Sequence, residues 1–126
     1  TYDDNGNQLT YSYDTDKDGE PNSIITFTYN DNGNRLTLSS DADGEPNQIY
    51  TYTYDTHGNK LTFGLDVNFD GEADQIFTYT YDDNGNRLTE GNDFNGNGVP
   101  NEITIYTYED SSIAVNIMRF FDNVVG

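Results

Sequence analysis

The chain has 126 residues, of which 23 are Asp or Glu and only 5 are Lys or Arg, giving a formal net charge of −18. Five scattered cations cannot form a phosphate-binding face, which excludes nucleic acid as a partner. There is no Cys, hence no disulfide framework, thiolate metal site or cysteine nucleophile, and no apolar run approaches the ~20 residues of a membrane span.

Leu, Ile, Val and Phe make up about a fifth of the residues, little aliphatic surface for a polypeptide that repels itself so strongly. Yet 11 Tyr and 7 Phe are too many aromatics for a disordered tail. Divalent cations are the obvious means of neutralising the charge. The sequence opens on Thr1 rather than Met and carries no signal peptide, so a processed or trimmed N-terminus is expected.

From the N-terminus, the first element is the string Tyr-x-x-x-Gly-Asn-x-Leu-Thr from Tyr2 to Thr10, in which Asp3 and Asp4 lead into a turn at Asn5-Gly6. The same unit returns at Tyr29–Thr37, Tyr54–Thr62 and Tyr81–Thr89, and a fifth begins at Tyr108. The tyrosines are spaced by 27, 25, 27 and 27 residues, so residues 1–110 form one repeat domain.

Each unit reads as two strands. Ile24–Tyr29, Ile49–Tyr54, Ile76–Tyr81 and Ile103–Tyr108 are aromatic and β-branched with period 2. Asn5-Gly6, Asn32-Gly33 and Asn84-Gly85 are strong two-residue hairpin signals, and His57-Gly58 stands at the corresponding place in the third unit. Two-residue turns would set Tyr2 opposite Leu9, Tyr29 opposite Leu36, Tyr54 opposite Leu61 and Tyr81 opposite Leu88. They would also set Thr1, Thr28, Thr53 and Thr80 opposite Thr10, Thr37, Thr62 and Thr89. One face of the sheet is then Tyr, Phe and Leu, the other Thr, Ser and Gly. The expectation is all-β: an antiparallel meander of about nine strands from four repeats of about 27 residues, as a coiled strip or a closed or stacked sheet, with acidic loops along one margin.

Those loops, aligned on their glycines, begin with Asp14, Asp16, Asp18, Glu20 and Asn22. Next come Ser39, Asp41, Asp43, Glu45 and Asn47, in a unit two residues short between Leu36 and Gly44. The third is Asp66, Asn68, Asp70, Glu72 and Asp74, and the fourth Asp93, Asn95, Asn97, Val99 and Asn101. Oxygen donors at positions one, three and five converge as the backbone curls, and Gly at six permits the sharp turn. The carbonyl of position seven and the group at nine complete a shell of six to eight oxygens, which suits Ca²⁺ better than the stricter octahedron of Mg²⁺. Up to four Ca²⁺ ions are expected, the fourth site weakest for want of carboxylates and the second the most distorted.

Position twelve, where an EF-hand has its bidentate Glu, is Ile25, Tyr50, Phe77 and Thr104, so these are not EF-hands. They resemble the shorter Asp-x-Asp-x-Asp-Gly loops of thrombospondin calcium repeats and integrin-type propeller blades. The phrase Tyr79-Thr-Tyr-Asp-Asp-Asn-Gly-Asn-Arg-Leu-Thr89 in turn resembles the YD repeat of bacterial Rhs and related surface proteins. That resemblance covers about residues 1–110 and implies a coiled β-strip on a large secreted or surface-attached protein.

The tail, residues 111–126, leaves the repeat. Ile113, Ile117, Phe121 and Val124 fall at helical spacing behind Ser111 or Ser112, whereas Ile113, Val115 and Ile117 also alternate as a strand would. It reads as a cap on the last repeat or an anchor to a neighbour. No enzyme is expected. The only histidine, His57, takes a turn position, and pairs such as Asp3/Asp4 and Asp82/Asp83 recur with the scaffold instead of marking one cleft.

The expected role is therefore a calcium-stabilised structural array in an extracellular or cell-surface adhesin, stalk or fibre. Its partners would be neighbouring repeats or identical subunits, in a head-to-tail filament. A carbohydrate- or surface-binding module using exposed tyrosines near calcium is the alternative, with glycans as partners. The Thr-x-Thr rows, such as Thr51/Thr53, also suggest an ice-binding surface, but twisted antiparallel strands would spoil its flat lattice.

Overall fold

A computed structural model describes residues 1–42, 45–108 and 118–121. Nine strands follow one another: β1 Thr10–Tyr13, β2 Ser23–Tyr29, β3 Arg35–Ala42, β4 Glu45–Tyr54, β5 Lys60–Asp66, β6 Gln75–Tyr81, β7 Arg87–Asp93, β8 Glu102–Ile105 and β9 Met118–Phe121. Their order in the sheet is their order in the sequence, and every neighbouring pair is antiparallel. Among the described residues there is no helix, and β1 does not pair with β9, so the meander is an open sheet and not a closed barrel.

The threonine register is as the sequence requires: Thr28 faces Thr37, Thr53 faces Thr62, and Thr80 faces Thr89. Each of these pairs shares a hydroxyl hydrogen bond of 2.7 Å, and Thr1 and Thr10 share one of 2.8 Å. The tyrosine register differs by one residue. Tyr29 pairs with Arg35, Tyr54 with Lys60, Tyr81 with Arg87, and Tyr2 bridges to Gln8.

The turns are the reason. Gly6 N–H donates to the Asp3 carbonyl at 3.1 Å and Asp3 N–H to the Asn7 carbonyl at 2.9 Å, which closes a three-residue loop ending in a left-handed Gly (φ 84°). The longer loop shifts the pairing by one, and a bulge at Leu9, Leu36, Leu61 or Leu88 shifts it back before the threonines. What selects this turn is the residue three before the glycine. Oδ1 of Asp3, Asn30, Asp55 and Asp82 accepts two backbone N–H groups across the turn. His57 is one of those donors, through its backbone, and takes the place held by Asn in the other repeats.

Among the described residues, the aromatic face has no second layer. Phe63 sits 5.4 Å from Tyr52, 5.6 Å from Tyr50 and 5.5 Å from Phe77, ring centre to ring centre, forming a cross-strand strip. Three of the five cations cover this face. Arg35 stacks 4.6 Å above Phe27, Lys60 5.0 Å above Tyr52 and Arg87 4.5 Å above Tyr79. Phe27 is thereby 9% exposed, the one buried apolar side chain among the described residues. Tyrosine hydroxyls also tie three of the repeats to the one before, with Tyr29 donating to the Gln8 carbonyl, Tyr81 to that of Lys60, and Tyr108 to that of Arg87. The array is held by such neighbour-to-neighbour links, as in other repeat proteins.

In the tail, residues 118–121 form β9 and pair with β8, Ile103 opposite Phe120. Phe121 is therefore a strand residue and not part of the expected helix. Residues 111–117 and 122–126, with the rest of both tail patterns, lie outside the described residues.

Candidate metal centre

Three of the four acidic segments fold alike. In the first, Asp14 follows β1, and its two oxygens accept the N–H of Lys17 (2.5 Å) and of Gly19 (3.0 Å). Asp16 Oδ1 accepts the Asp18 N–H (3.4 Å), and Asp18 Oδ1 accepts the Glu20 N–H (2.9 Å). The third loop repeats this. Asp66 accepts from Phe69 (2.6 Å) and Gly71 (3.1 Å), Asn68 from Asp70 (3.0 Å), and Asp70 from Glu72 (2.9 Å). In the fourth, Asp93 accepts from Asn95 (3.1 Å) and Gly98 (2.7 Å), Asn95 from Asn97 (3.4 Å), and Asn97 from Val99 (2.8 Å).

The alternating side-chain acceptors thus wind the backbone around the residue at position one, whose carboxylate sits at the centre of the coil. Asp66 is only 6% and Asp93 only 2% exposed, and backbone N–H groups rather than basic side chains satisfy each of them. At Asp14 the Gly19 N–H, set against partial desolvation and assisted by the Lys17 N–H, holds the carboxyl below the usual aspartate range.

Two features of these loops escape a reading by residue type. Position four lies in the left-handed region at Lys17 (φ 64°), Phe69 (φ 61°) and Gly96 (φ 64°), so Gly at position six is not the only turn-forming residue. Position nine is a latch. The Asn22, Asp74 and Asn101 side chains accept the N–H of Thr15 (2.5 Å), Val67 (2.8 Å) and Phe94 (2.7 Å). Their own N–H groups donate to the carbonyls of Tyr13, Leu65 and Asn92, returning the backbone to the sheet.

In the third and fourth loops the returning segment rests on the sheet's threonine side. A Cβ on Gly64 would stand 2.6 Å from Thr51 Oγ1 and 3.3 Å from the Ala73 Cβ; on Gly91 it would stand 2.6 Å from Thr78 Oγ1 and 3.2 Å from the Pro100 ring. The two glycines make room for the loops.

The second segment departs from the expectation. Ser39, predicted at position one, lies inside β3 opposite Thr26 and Ile49. Asp41 is the true counterpart of Asp66 and Asp93, since it faces Ile24 where they face Ile49 and Ile76. The two missing residues are lost after Asp41. Strand pairing then runs up to the connection, with Asp41 opposite Pro46 and Ala42 opposite Glu45, so Glu45 and Asn47 belong to β4 and no nine-residue coil forms. Asp43 lies outside the described residues.

Among the described residues, Asp14, Asp16 and Asp18 are the acids that gather: each offers a carboxylate oxygen, and the three oxygens lie within 4.8 Å of one another on the surface. This group could hold a metal ion. Asp16 and Asp18 each commit one oxygen to a backbone N–H, which leaves the other for a cation. Glu20 is not part of the group. The third loop offers Asp66 and Asp70 with the amide of Asn68, and the fourth only Asp93 with the amides of Asn95 and Asn97. No family model matches this protein, and no curated protein matches it.

Proposed function

We propose that this protein is a calcium-binding structural repeat domain of a secreted or cell-surface bacterial protein of the YD (Rhs-like) kind, serving as an adhesin, stalk or self-assembling fibre. The observation that carries the reading is the convergence of the Asp14, Asp16 and Asp18 carboxylates within one coiled loop. All-oxygen donors on a pliable loop suit Ca²⁺. The same coil is built around Asp66 and Asp93, so one binding principle recurs along the sheet margin with falling carboxylate content. Each bound ion would offset like-charge repulsion and lock the connection between two strands, which makes metal affinity part of the folding free energy. Neighbouring repeats or identical subunits are the partners proposed for it, in keeping with Tyr11 and Tyr13 of β1, which are 50% and 44% exposed.

Calorimetric titration with Ca²⁺ tests the site. The tightest event should disappear in the Asp16→Asn, Asp18→Asn double variant and survive Asn95→Ala. Equal, independent sites, or a titration unchanged by the double variant, would contradict the assignment.

A second reading, a carbohydrate- or surface-binding module, is favoured by an open hollow of about 740 Å³ between the third and fourth hairpin turns, lined by Leu61, Tyr79, Tyr81, His57 and Asp83 among others. Tyrosine faces flanked by carboxylates suit sugar rings. Glycan-array binding that is lost in Tyr79→Ala would support it over a purely structural role.

A further inference from the structure

The sequence has five Asn-Gly steps, at Asn5, Asn32, Asn84, Asn95 and Asn97, and the last two lie in the loop with the fewest carboxylates. An Asn-Gly step is chemically labile because glycine has no side chain to keep its nitrogen away from the asparagine Cγ. The nitrogen must shed its proton and turn toward that carbon. A peptide N–H donated to a fixed acceptor resists both.

The structure separates the five steps on this ground. In the three hairpin turns the glycine N–H is held by the carbonyl three residues back: Gly6 by Asp3 at 3.1 Å, Gly33 by Asn30 at 2.9 Å and Gly85 by Asp82 at 3.0 Å. Gly98 N–H is held more tightly, 2.7 Å from a carboxylate oxygen of Asp93, whose charge also disfavours loss of the proton. Gly96 N–H finds no acceptor among the described residues. The equivalent groups, Lys17 N–H and Phe69 N–H, are each clamped by the carboxylate at position one, at 2.5 and 2.6 Å; in the fourth loop that oxygen accepts only the Asn95 N–H, at 3.1 Å. Asn95 is also exposed to water.

We infer that Asn95 is a self-modification site, the first residue of this protein to deamidate, and that the fourth loop thereby acquires a second negative charge. The deprotonated Gly96 nitrogen attacks Asn95 Cγ, a new C–N bond forms, the bond from Cγ to Nδ2 breaks, and ammonia leaves with the proton. Water then opens the resulting succinimide at one of its two carbonyls. Opening at Cγ leaves an α-aspartyl residue on the original backbone; opening at the backbone carbonyl leaves an isoaspartyl residue with the backbone routed through Cγ. The net change is one water consumed and one ammonia released. The α-aspartyl product sets a carboxylate two residues after Asp93, the relation that Asp16 bears to Asp14. The isoaspartyl product lengthens the backbone between residues 95 and 96 and disrupts the 3.4 Å contact of the Asn95 side chain with Asn97 N–H.

The test is a time course of the purified full-length protein in mildly alkaline buffer at physiological temperature. Peptide mapping with electron-transfer fragmentation assigns each mass gain to one asparagine and distinguishes the two products. Asn95 should convert first, ahead of the turn asparagines by roughly two- to tenfold, the rate equivalent of the hydrogen bond that each of them must open. The first acidic species on ion exchange should be missing in Asn95→Gln. In concentrated urea, where no fold holds the glycine N–H groups, the five rates should draw together. A turn asparagine or Asn97 converting ahead of Asn95, no conversion at any of the five, or an order that persists in urea would overturn the inference.

Discussion

Replacing Asp66 with Ala removes the centre of the third loop, and the cost follows from the geometry. Three backbone donors lose their acceptor: Asn68 N–H at 3.2 Å, Phe69 N–H at 2.6 Å and Gly71 N–H at 3.1 Å. A hydrogen bond to a charged group contributes about 1.5–3 kcal/mol, and the two best here are worth counting at the lower end because the freed loop N–H groups regain water. A loss of about 2–4 kcal/mol results, against a total that rarely exceeds ~15 kcal/mol for a protein of this kind. For a domain of this size, that lowers Tm by roughly 8–16 °C. The melt should be followed by circular dichroism in excess chelator, so that no metal term enters. Asp70→Ala is the control, since Asp70 is exposed and accepts one N–H, from Glu72 at 2.9 Å. If the two variants melt together in chelator, the carboxylate at position one does not organise the loop, and the reasoning fails.

Gly64→Ala should cost about 1–3 kcal/mol in denaturant unfolding, since its Cβ would press on Thr51 Oγ1 and the Ala73 methyl, whereas Gly19→Ala meets no neighbour within 4 Å and tests only the positive φ. Arg87→Ala should destabilise by about 1–2 kcal/mol through loss of the stack on Tyr79 and the 3.0 Å pair with Glu90, and Arg87→Lys should recover only part of it. In acid, the side-chain amides of Asn7, Asn59 and Asn86 hold Asp3, Asp55 and Asp82 below the usual aspartate range. A lowered folded value favours the ionised fold, so this stabilisation is complete above the unfolded value of about 3.9 and is lost as pH falls through the folded one. The second turn has Asn30 accepting the same two backbone N–H groups and, having no carboxyl there, does not titrate. Tm measured from about pH 5 down to about pH 2 should therefore fall less steeply in Asp82→Asn than in the parent protein, and equal slopes would refute the assignment.

The repeat makes the sheet legible. Period-2 aromatic and β-branched runs, four times over, leave few alternatives to a meander, and the Thr28, Thr53 and Thr80 pairings follow from it. The hairpin turns differ from their sequence reading by one residue, because Asn-Gly serves both two- and three-residue loops. The deciding signal stands outside the dipeptide, in the Asp or Asn three residues before the glycine, whose side chain gathers the N–H groups of the longer turn. In the second acidic segment, alignment on Gly44 brings Ser39 to position one. Alignment on the strand finds Thr37-x-Ser39-x-Asp41 equivalent to Thr62-x-Gly64-x-Asp66 and Thr89-x-Gly91-x-Asp93, and sets the deletion after Asp41. Residue types alone do not reveal the latch at Asn22, Asp74 and Asn101, because an amide or carboxylate at position nine serves equally as a metal ligand or as an acceptor for its own loop. The tail carries two competing periodicities, and pairing to β8 decides residues 118–121 in favour of strand.

A cation at Asp14, Asp16 and Asp18, repeated with weaker donors at the later loops, is proposed to be part of what holds this sheet together. Thermal unfolding of the full-length protein, followed by circular dichroism first with Ca²⁺ and then with excess chelator, tests that claim most directly. A large fall in Tm is expected on chelation, reversed by added Ca²⁺ and reduced in the Asp16→Asn, Asp18→Asn variant. The same melt with and without the metal would mean that the coiled loops stand on their own hydrogen bonds, and the calcium reading would be wrong.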